Sequence, residues 1–171
     1  MKVKEHEQIF ERWLKKHKGL LFKVVRSYAF DSGDRDDLFQ EIAIQLWRSI
    51  PKFRNESAET TWIYRVALNT AITWIRKEKK NDLGKEDISD IAHILVSENH
   101  EIDERLEWIY RQINRFNEID RSILLLMLDG FSYKEISNML GIGESNVGVK
   151  INRLKKYLIK ESEKREHYGV G

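Results

Sequence analysis

The sequence contains no cysteine and a single proline in 171 residues. Without cysteine, the chain can form neither a disulfide nor a cysteine-ligated metal site. Its longest uninterrupted apolar run, Ile123 to Leu128, is far shorter than the roughly 20 residues of a transmembrane helix. The first residues, MKVKEHEQIF, lack the apolar core and the cleavage site of a signal peptide. These absences predict a cytoplasmic protein that does not insert into a membrane.

Charge is almost balanced overall, with 30 lysines and arginines against 28 aspartates and glutamates, so the net charge of +2 indicates no class of partner. The distribution of charge is more informative. Residues 81–107 carry nine acidic side chains and two basic ones, whereas residues 150–165 carry seven basic and two acidic ones. A shorter basic cluster, Arg76 to Lys80, precedes the acidic segment. Two basic segments therefore flank an acidic centre.

Apolar residues recur with the period of a helix along nearly the whole chain, and no convincing alternating strand is present. We therefore predict an all-α fold with helices at residues 5–16, 20–28, 34–49, 60–79, 103–114, 119–128, 133–140 and 144–160. Pro51 should end the third helix. The acidic stretch around Gly84 interrupts the helical pattern and is typical of a linker. The predicted organisation is two small helical domains, residues 1–80 and 104–171, joined by an acidic linker at residues 81–103.

The segment GFSYKEISNMLGIGESNVGVKINRLKKYL has the pattern of a helix-turn-helix. Ser132 and Glu135 form a capping box, in which each side chain satisfies a free backbone N–H at a helix start. Gly141 can end that helix in a left-handed conformation. The second helix then carries an inner apolar stripe formed by Val147, Ile151, Leu154 and Leu158.

The outer face of this second helix is polar and basic. In a major groove, the N-terminal residues of such a helix meet base edges, and later cations meet phosphates. The predicted contacts to duplex DNA are Ser145, Asn146, Val149, Lys150, Arg153 and Lys156. Gly148 inside the helix costs about 0.5–1 kcal/mol relative to alanine, which is understandable if the backbone must approach something closely. A plain helical hairpin with a solvated basic face is the alternative interpretation.

Two N-terminal helices carry apolar residues on faces that are otherwise polar. The polar arc of the helix at 60–79 consists of Arg65, Asn69, Thr70, Thr73, Arg76 and Lys77, with Trp62 and Val66 among them. In the helix at 34–49, the predicted buried arc consists of Leu38, Phe39, Ile42, Ala43, Leu46 and Ile50. Ile44 and Trp47 fall instead among charged residues, which indicates either a docking surface or packing against residues 20–28.

Two blocks of the sequence resemble a known family. DRDDLFQEIAIQLWRSIPKFRNESAETTWIYRVALNTAITWIRKEKK is similar to region 2, and FNEIDRSILLLMLDGFSYKEISNMLGIGESNVGVKINRLKKYL to region 4, of the extracytoplasmic-function (ECF) sigma factors in the bacterial sigma-70 family. The resemblance covers most of residues 20–160. It implies a factor that catalyses no reaction, needs no cofactor or metal, and initiates transcription by reading the −35 element as duplex and capturing the opened −10 strand.

The resemblance also implies partners and site residues. The partners are promoter DNA and the RNA polymerase core, through its β′ clamp helices and β subunit, with an anti-sigma factor as a further candidate. The implied polymerase contacts are Asp37, Gln40, Glu41, Ile44 and Trp47. The implied contacts to the −10 strand are Arg54, Asn55, Trp62, Arg65, Asn69, Thr73, Arg76 and Lys77. A single-stranded base needs a flat partner, an amide at its edge and cations for its backbone, which these residues would supply.

Some of these assignments have alternatives. Trp62 could fold under the preceding loop, whose residues 54–59 would form the wall of the base pocket, and Asn69 would pass for an ordinary surface residue without the family match. Gly143 stands where the family usually has a small hydroxyl cap, so the individual base contacts stay open. The acidic linker would lie along the cationic RNA path of the polymerase.

Two other function classes compete with this interpretation. The acids Asp34, Asp36, Asp37 and Glu41 could hold Mg²⁺ in an enzyme, but they also suit a helix start, and neither a second carboxylate cluster nor histidines with metal-ligand spacing accompany them. A duplex-binding helix-turn-helix regulator with an N-terminal sensor or dimerisation domain would explain residues 130–160 equally well. It would leave the polar face around Asn69 without a role.

Overall fold

The computed structural model describes residues 2–81 and 103–167, with side chains for residues 2–80 and 103–166. Within these ranges it contains eight α-helices, one 3₁₀ turn and no β-strand, which confirms the predicted all-α fold. The predicted linker, residues 81–103, falls outside the described residues except at its two ends. The chain divides into two compact units, residues 1–107 and 108–171, which are treated separately below.

The first unit contains four of the helices. These are α1 (Val3–Lys16), α2 (Lys18–Tyr28), α3 (Ser32–Ser49) and α4 (Glu59–Asn81), with the 3₁₀ turn Ile50–Lys52 directly after α3. The central helix, α4, packs chiefly against α2 and α3. Its apolar face is buried from Ile63 and Tyr64 at one end to Ile75 at the other, except for Trp74, which is half-buried.

Two residues of this unit lie differently from their predicted positions. Thr70, expected on the polar arc of α4, is buried, and its hydroxyl donates a hydrogen bond to the Val66 carbonyl at 2.7 Å. Because the hydroxyl is satisfied within its own helix, burial leaves no unpaired polar group. Phe39, expected in the buried arc of α3, is 37% exposed. Leu38, Ile42 and Leu46 form the buried stripe of α3 at four-residue spacing, and Phe39 lies about 100° to one side of it.

A carboxylate at the start of α4 ties three helices together. Glu59 lies 2.9 Å from the Arg12 guanidinium of α1 and 3.1 Å from the imidazole Nε2 of the buried His17, which follows α1. Burial acts to raise the pKa of Glu59, but the hydrogen bond from His17 and the charge of Arg12 outweigh it, so this pKa lies below its ordinary value. Through Arg12 in α1 and His17, the N-cap residue of α2, Glu59 links the beginning of α4 to both helices.

The second unit is built around a helix-turn-helix. Its helices are α5 (Glu104–Asn114), whose first residues belong to the first unit, α6 (Glu118–Leu128), α7 (Tyr133–Leu140) and α8 (Glu144–His167). Both halves of the predicted capping box are present at Ser132 and Glu135, and Gly141 has the left-handed φ of 69° expected of a helix end. Three members of the predicted inner stripe of α8 are fully buried, whereas Leu158 is only half-buried.

Candidate nucleic-acid interface

The polar face of α4 is exposed along most of its length. Arg65, Asn69 and Thr73 follow one another at four-residue spacing, so they form a row, and the predicted cations Arg76 and Lys77 are exposed one turn further on. The Thr73 hydroxyl donates to the backbone carbonyl of Asn69 at 2.9 Å, so this hydrogen bond does not involve the side-chain amide of Asn69. The structure therefore brings together five of the eight residues expected to bind the −10 strand.

An open groove of about 370 Å³ runs between this row and α3. Its α4 wall includes Asn69, Thr73 and Lys77, and its α3 wall includes Glu41 and Gln45. The Gln45 amide donates to the Glu41 carboxylate at 3.3 Å. Glu41, expected to contact polymerase, thus shares a groove with residues expected to contact DNA. Sequence reasoning missed Gln45, although its four-residue spacing from Glu41 places the two on one ridge of α3.

Trp62 does not line this groove. Its indole Nε1 donates to the Ser49 hydroxyl at 3.2 Å, and its ring centre lies 5.5 Å from that of Phe53. The side chain is half-buried and therefore matches the alternative in which it folds under the preceding loop. Arg54 and Asn55 in that loop are exposed and also stand apart from the groove, and Asn55 has a left-handed φ of 56°, which asparagine tolerates better than most residues.

The face of α3 expected to bind polymerase is only partly free. Asp37 and Gln40 are exposed, and Ile44 is 44% exposed. Trp47 instead stacks on His6 of α1 with ring centres 3.9 Å apart, and the His6 Nε2 lies 2.8 Å from the Trp47 carbonyl oxygen. The sequence-based alternative placed Trp47 against residues 20–28. The ring contacts α1, a partner that the helical wheel of α3 cannot reveal.

The first turns of α8 present a polar surface. Ser145, Asn146 and Val149 are exposed, Val149 by 66%. A Cβ added at Gly148 would lie 3.5 Å from the ring of Tyr133 in α7, an ordinary van der Waals distance. Tyr133 therefore leaves room for a Cβ at position 148, so the helix-turn-helix itself does not supply the close approach that was expected to require glycine.

Two predicted DNA-binding cations on α8 have an internal partner. The Lys150 Nζ lies 3.0 Å from one carboxylate oxygen of Asp120 in α6, and the Arg153 guanidinium lies 3.5 Å from the other. Lys156 is exposed. Asp120 is 4% exposed and was not singled out from the sequence. The two cations that it pairs with lie 30 and more positions away in the chain, so no local pattern could have revealed the ion pairs.

Comparison with known proteins identifies both units. The model of sigma-70 region 2 matches residues 13–81, and the model of sigma-70 region 4 matches residues 106–158. The ECF RNA polymerase sigma-E factor of Haemophilus influenzae is 30% identical over 162 residues, which cover 88% of this chain and 83% of that protein. This chain belongs to the ECF sigma factors. The sigma-E factor of Escherichia coli is likewise 30% identical, over 73% of this ECF sigma factor and 72% of its own length.

Solved structures have the same fold as this ECF sigma factor. CnrH, determined in complex with the cytosolic domain of CnrY, matches with a TM-score of 0.64 and 17% identity over 92% of this chain and 89% of that one. RpoE of Bartonella quintana, determined with the anti-sigma factor NepR, matches with a TM-score of 0.63 and 15% identity over 90% of this chain and 96% of that one. The predicted family is thus confirmed, and the regulator alternative is not favoured.

The acidic cluster at the start of α3 has a structural use in this sigma factor. The Asp31 side chain accepts a hydrogen bond from the Asp34 backbone N–H at 2.7 Å and caps the helix. In the part of the chain whose side chains are described, no group of three histidines or acids is placed to hold a metal ion. Searched over the same part, no helix is long and apolar enough to cross a membrane.

Proposed function

We propose that this ECF sigma factor binds the RNA polymerase core and uses its two helical units on different forms of promoter DNA. Helix α8 reads the −35 element as duplex, and α4 holds one strand of the opened −10 element. The chain acts in the cytoplasm with the polymerase, catalyses no reaction itself and needs no cofactor or metal. The observation that carries the proposal is the groove between α3 and α4, which lies beside a row of exposed amide and cationic side chains.

The groove suits one unstacked nucleotide. Its volume of about 370 Å³ is at the lower end of the range of small-molecule pockets, roughly 300–1,000 Å³. The amides of Asn69 and Gln45 can pair with the edge of a base, and Trp74 contributes an aromatic ring to the wall. Lys77 inside the groove and Arg65 on the row above can neutralise the phosphates of the strand.

The remaining −10 residues have supporting roles in this proposal. Trp62 contacts Phe53 and Ser49, so it anchors the loop that carries Arg54 and Asn55 and does not itself stack on a base. The two loop residues are exposed and can meet the displaced strand as it leaves the groove.

On the duplex side, the exposed first turns of α8 present Ser145, Asn146 and Val149 to base edges. Lys156 and Arg153 lie further along the same helix, where cations meet phosphates. On the polymerase side, Asp37, Gln40 and Ile44 form the exposed docking face of α3, with Glu41 at its margin and Trp47 supporting the helix through α1. Residues 1–80 and 104–171 act as the two working domains, joined by the acidic linker at 81–103.

Run-off transcription with purified bacterial core polymerase tests the proposed function. The template is fragmented DNA from the source genome, with and without this protein. Discrete transcripts that require the protein would support a sigma factor, and their start sites would reveal both promoter elements. If no transcripts form and the protein does not co-purify with core polymerase from a cognate lysate, the duplex-binding regulator becomes the better interpretation.

A single substitution tests the strand-binding role of α4. Asn69→Ala removes the amide from the groove while leaving the exposed face of α3 unchanged, so we expect loss of promoter opening with normal binding to core polymerase. Permanganate footprinting measures the opening, and a pull-down measures the binding. Gln8→Ala, which removes an exposed amide from α1, is the control and should change neither. Equal loss of opening and polymerase binding in Asn69→Ala would contradict the assignment.

A further inference from the structure

A buried carboxylate lies beneath the helix that reads duplex DNA. Asp120 sits in the first turn of α6, and its side chain is only 6% exposed. One of its oxygens lies 3.0 Å from Lys150 and the other 3.5 Å from Arg153, both on α8. Asn117, the cap of α6, donates to the Asp120 carboxylate at 3.3 Å and accepts from its backbone N–H at 2.9 Å. The carboxylate is therefore held in place before any DNA arrives.

The two cations differ in how far they are committed to this carboxylate. The side chain of Lys150 is 22% exposed, and its ammonium makes the shorter contact. The side chain of Arg153 is 65% exposed, and its contact is longer. A guanidinium has five N–H donors, so Arg153 can point one nitrogen at Asp120 and still offer others to solvent or to a second oxyanion.

A carboxylate and a DNA phosphate compete for the same donors, because both are oxyanions that accept charge-assisted hydrogen bonds. Lys150, Arg153 and Asp120 together carry one positive charge, whereas the two cations alone would carry two. The sequence-independent part of DNA affinity grows with the number of phosphates that protein cations neutralise. The side chains proposed to read base edges are instead Ser145, Asn146 and Val149, whereas the ion pairs of Asp120 are with Lys150 and Arg153.

We propose that Asp120 is a specificity-determining residue of this sigma factor. Its carboxylate competes with DNA phosphates for Lys150 and Arg153, and so limits binding to duplex of any sequence while leaving base readout intact. The inference rests on the proposed function only in taking α8 as the helix that enters duplex DNA.

The test is Asp120→Asn in the full chain, binding a random-sequence duplex without polymerase over a range of salt concentrations, measured by fluorescence anisotropy. Releasing one cation to the phosphates should steepen the slope of log K against log salt by about 0.9, which corresponds to about eightfold tighter binding at roughly 0.1 M salt. The gain should vanish towards about 1 M salt. Asp120→Glu keeps the charge and should restore the original slope.

Glu161→Gln is the matched control for net charge. It also removes one carboxylate, from the pair that Glu161 forms with Lys164 at 3.0 Å near the far end of α8, but leaves Asp120 in place. Its salt slope should equal that of the wild type. An unchanged slope in Asp120→Asn, or an equal change in Glu161→Gln, would overturn the proposal.

A second comparison covers the case in which Asp120→Asn does not fold. Arg153→Gln and Lys156→Gln each remove one exposed cation from α8. Asp120 already neutralises part of the charge of Arg153. Arg153→Gln should therefore flatten the salt slope less than Lys156→Gln does. Equal or greater flattening in Arg153→Gln would refute the competition.

The two proposals can fail separately. A protein that drives promoter-specific transcription but shows equal salt slopes in all variants would overturn the role of Asp120 and leave the sigma function standing. A steeper slope in Asp120→Asn without any protein-dependent transcripts would support the role of Asp120 and overturn the proposed sigma function.

Discussion

Asp34 should make the stability of the first unit depend on pH. It lies in the first turn of α3, where burial, together with the negative charges of Asp31 and Glu78, raises its pKa from 3.8 to about 6. A carboxyl whose pKa is raised in the folded state favours the protonated form there. Its contribution to stability is therefore fully present below pH 3.8 and is lost as the pH rises through about 6. At neutral pH the ionised side chain destabilises the fold.

Asp34→Asn should relieve this cost. A rise of about two units in the pKa of Asp34 means that its ionised form destabilises the folded state by at most about 3 kcal/mol at neutral pH. Asp34 is only partly buried, so solvent screening makes this destabilisation smaller. The substitution also removes a favourable negative charge at a helix start, which reduces the expected gain in stability by about 0.3–1 kcal/mol. We expect Asp34→Asn to be more stable than the wild type by about 1 kcal/mol at pH 7.5, and the difference to disappear near pH 4.

Urea unfolding followed by circular dichroism, repeated between pH 4 and 7.5, measures this difference. Asp36→Asn is the control, because it removes an exposed charge two residues further along the same helix and should be neutral or slightly destabilising. If Asp34→Asn were less stable than the wild type at pH 7.5, or if its effect were the same at every pH, the reasoning from burial and like charge would be wrong.

Two further substitutions test local geometry. Gly148→Ala places its Cβ at an ordinary distance from Tyr133, so the higher helix propensity of alanine should raise the unfolding free energy by about 0.5–1 kcal/mol. Thermal unfolding measures this change, and a less stable variant would show that the contact with Tyr133 is too tight. Trp62→Phe keeps an aromatic ring but removes the hydrogen bond to Ser49, so stability should fall by about 0.5–1.5 kcal/mol while promoter opening by folded holoenzyme persists. Loss of opening in that permanganate assay would instead place Trp62 against DNA.

Local chemistry explains why the helices could be predicted closely. The capping box at Ser132 and Glu135 and the left-handed Gly141 define both ends of α7 through atoms only a few residues apart. The predicted bounds of α7 agree with the structure, and α3 begins two residues before the predicted start, where Asp31 supplies the cap. Helix α8 extends seven residues beyond its predicted end, to His167, because its last turns continue without a glycine or proline to stop them.

Errors arose where one helix had to be judged without its neighbours. A helical wheel gives the angle of a side chain but not what lies opposite it, so Thr70 was placed on an exposed face and Phe39 on a buried one. The same reasoning cannot tell a docking tryptophan from a packed one. The contact of Trp47 with His6, which lies 41 positions earlier in the chain, and those of Trp62 with Ser49 and Phe53 appear only in the tertiary structure.

The sequence by itself determined the family, the all-α fold and the helices that carry the candidate DNA contacts, because periodicity, caps and motif order are written in residues close together in the chain. Only the tertiary structure decided which side chains are free to act. It placed Glu41 and Gln45 opposite Asn69 in one groove, and it brought Asp120 to Lys150 and Arg153 across 30 and more residues. Such contacts depend on how helices pack, and packing is a property of several distant segments at once.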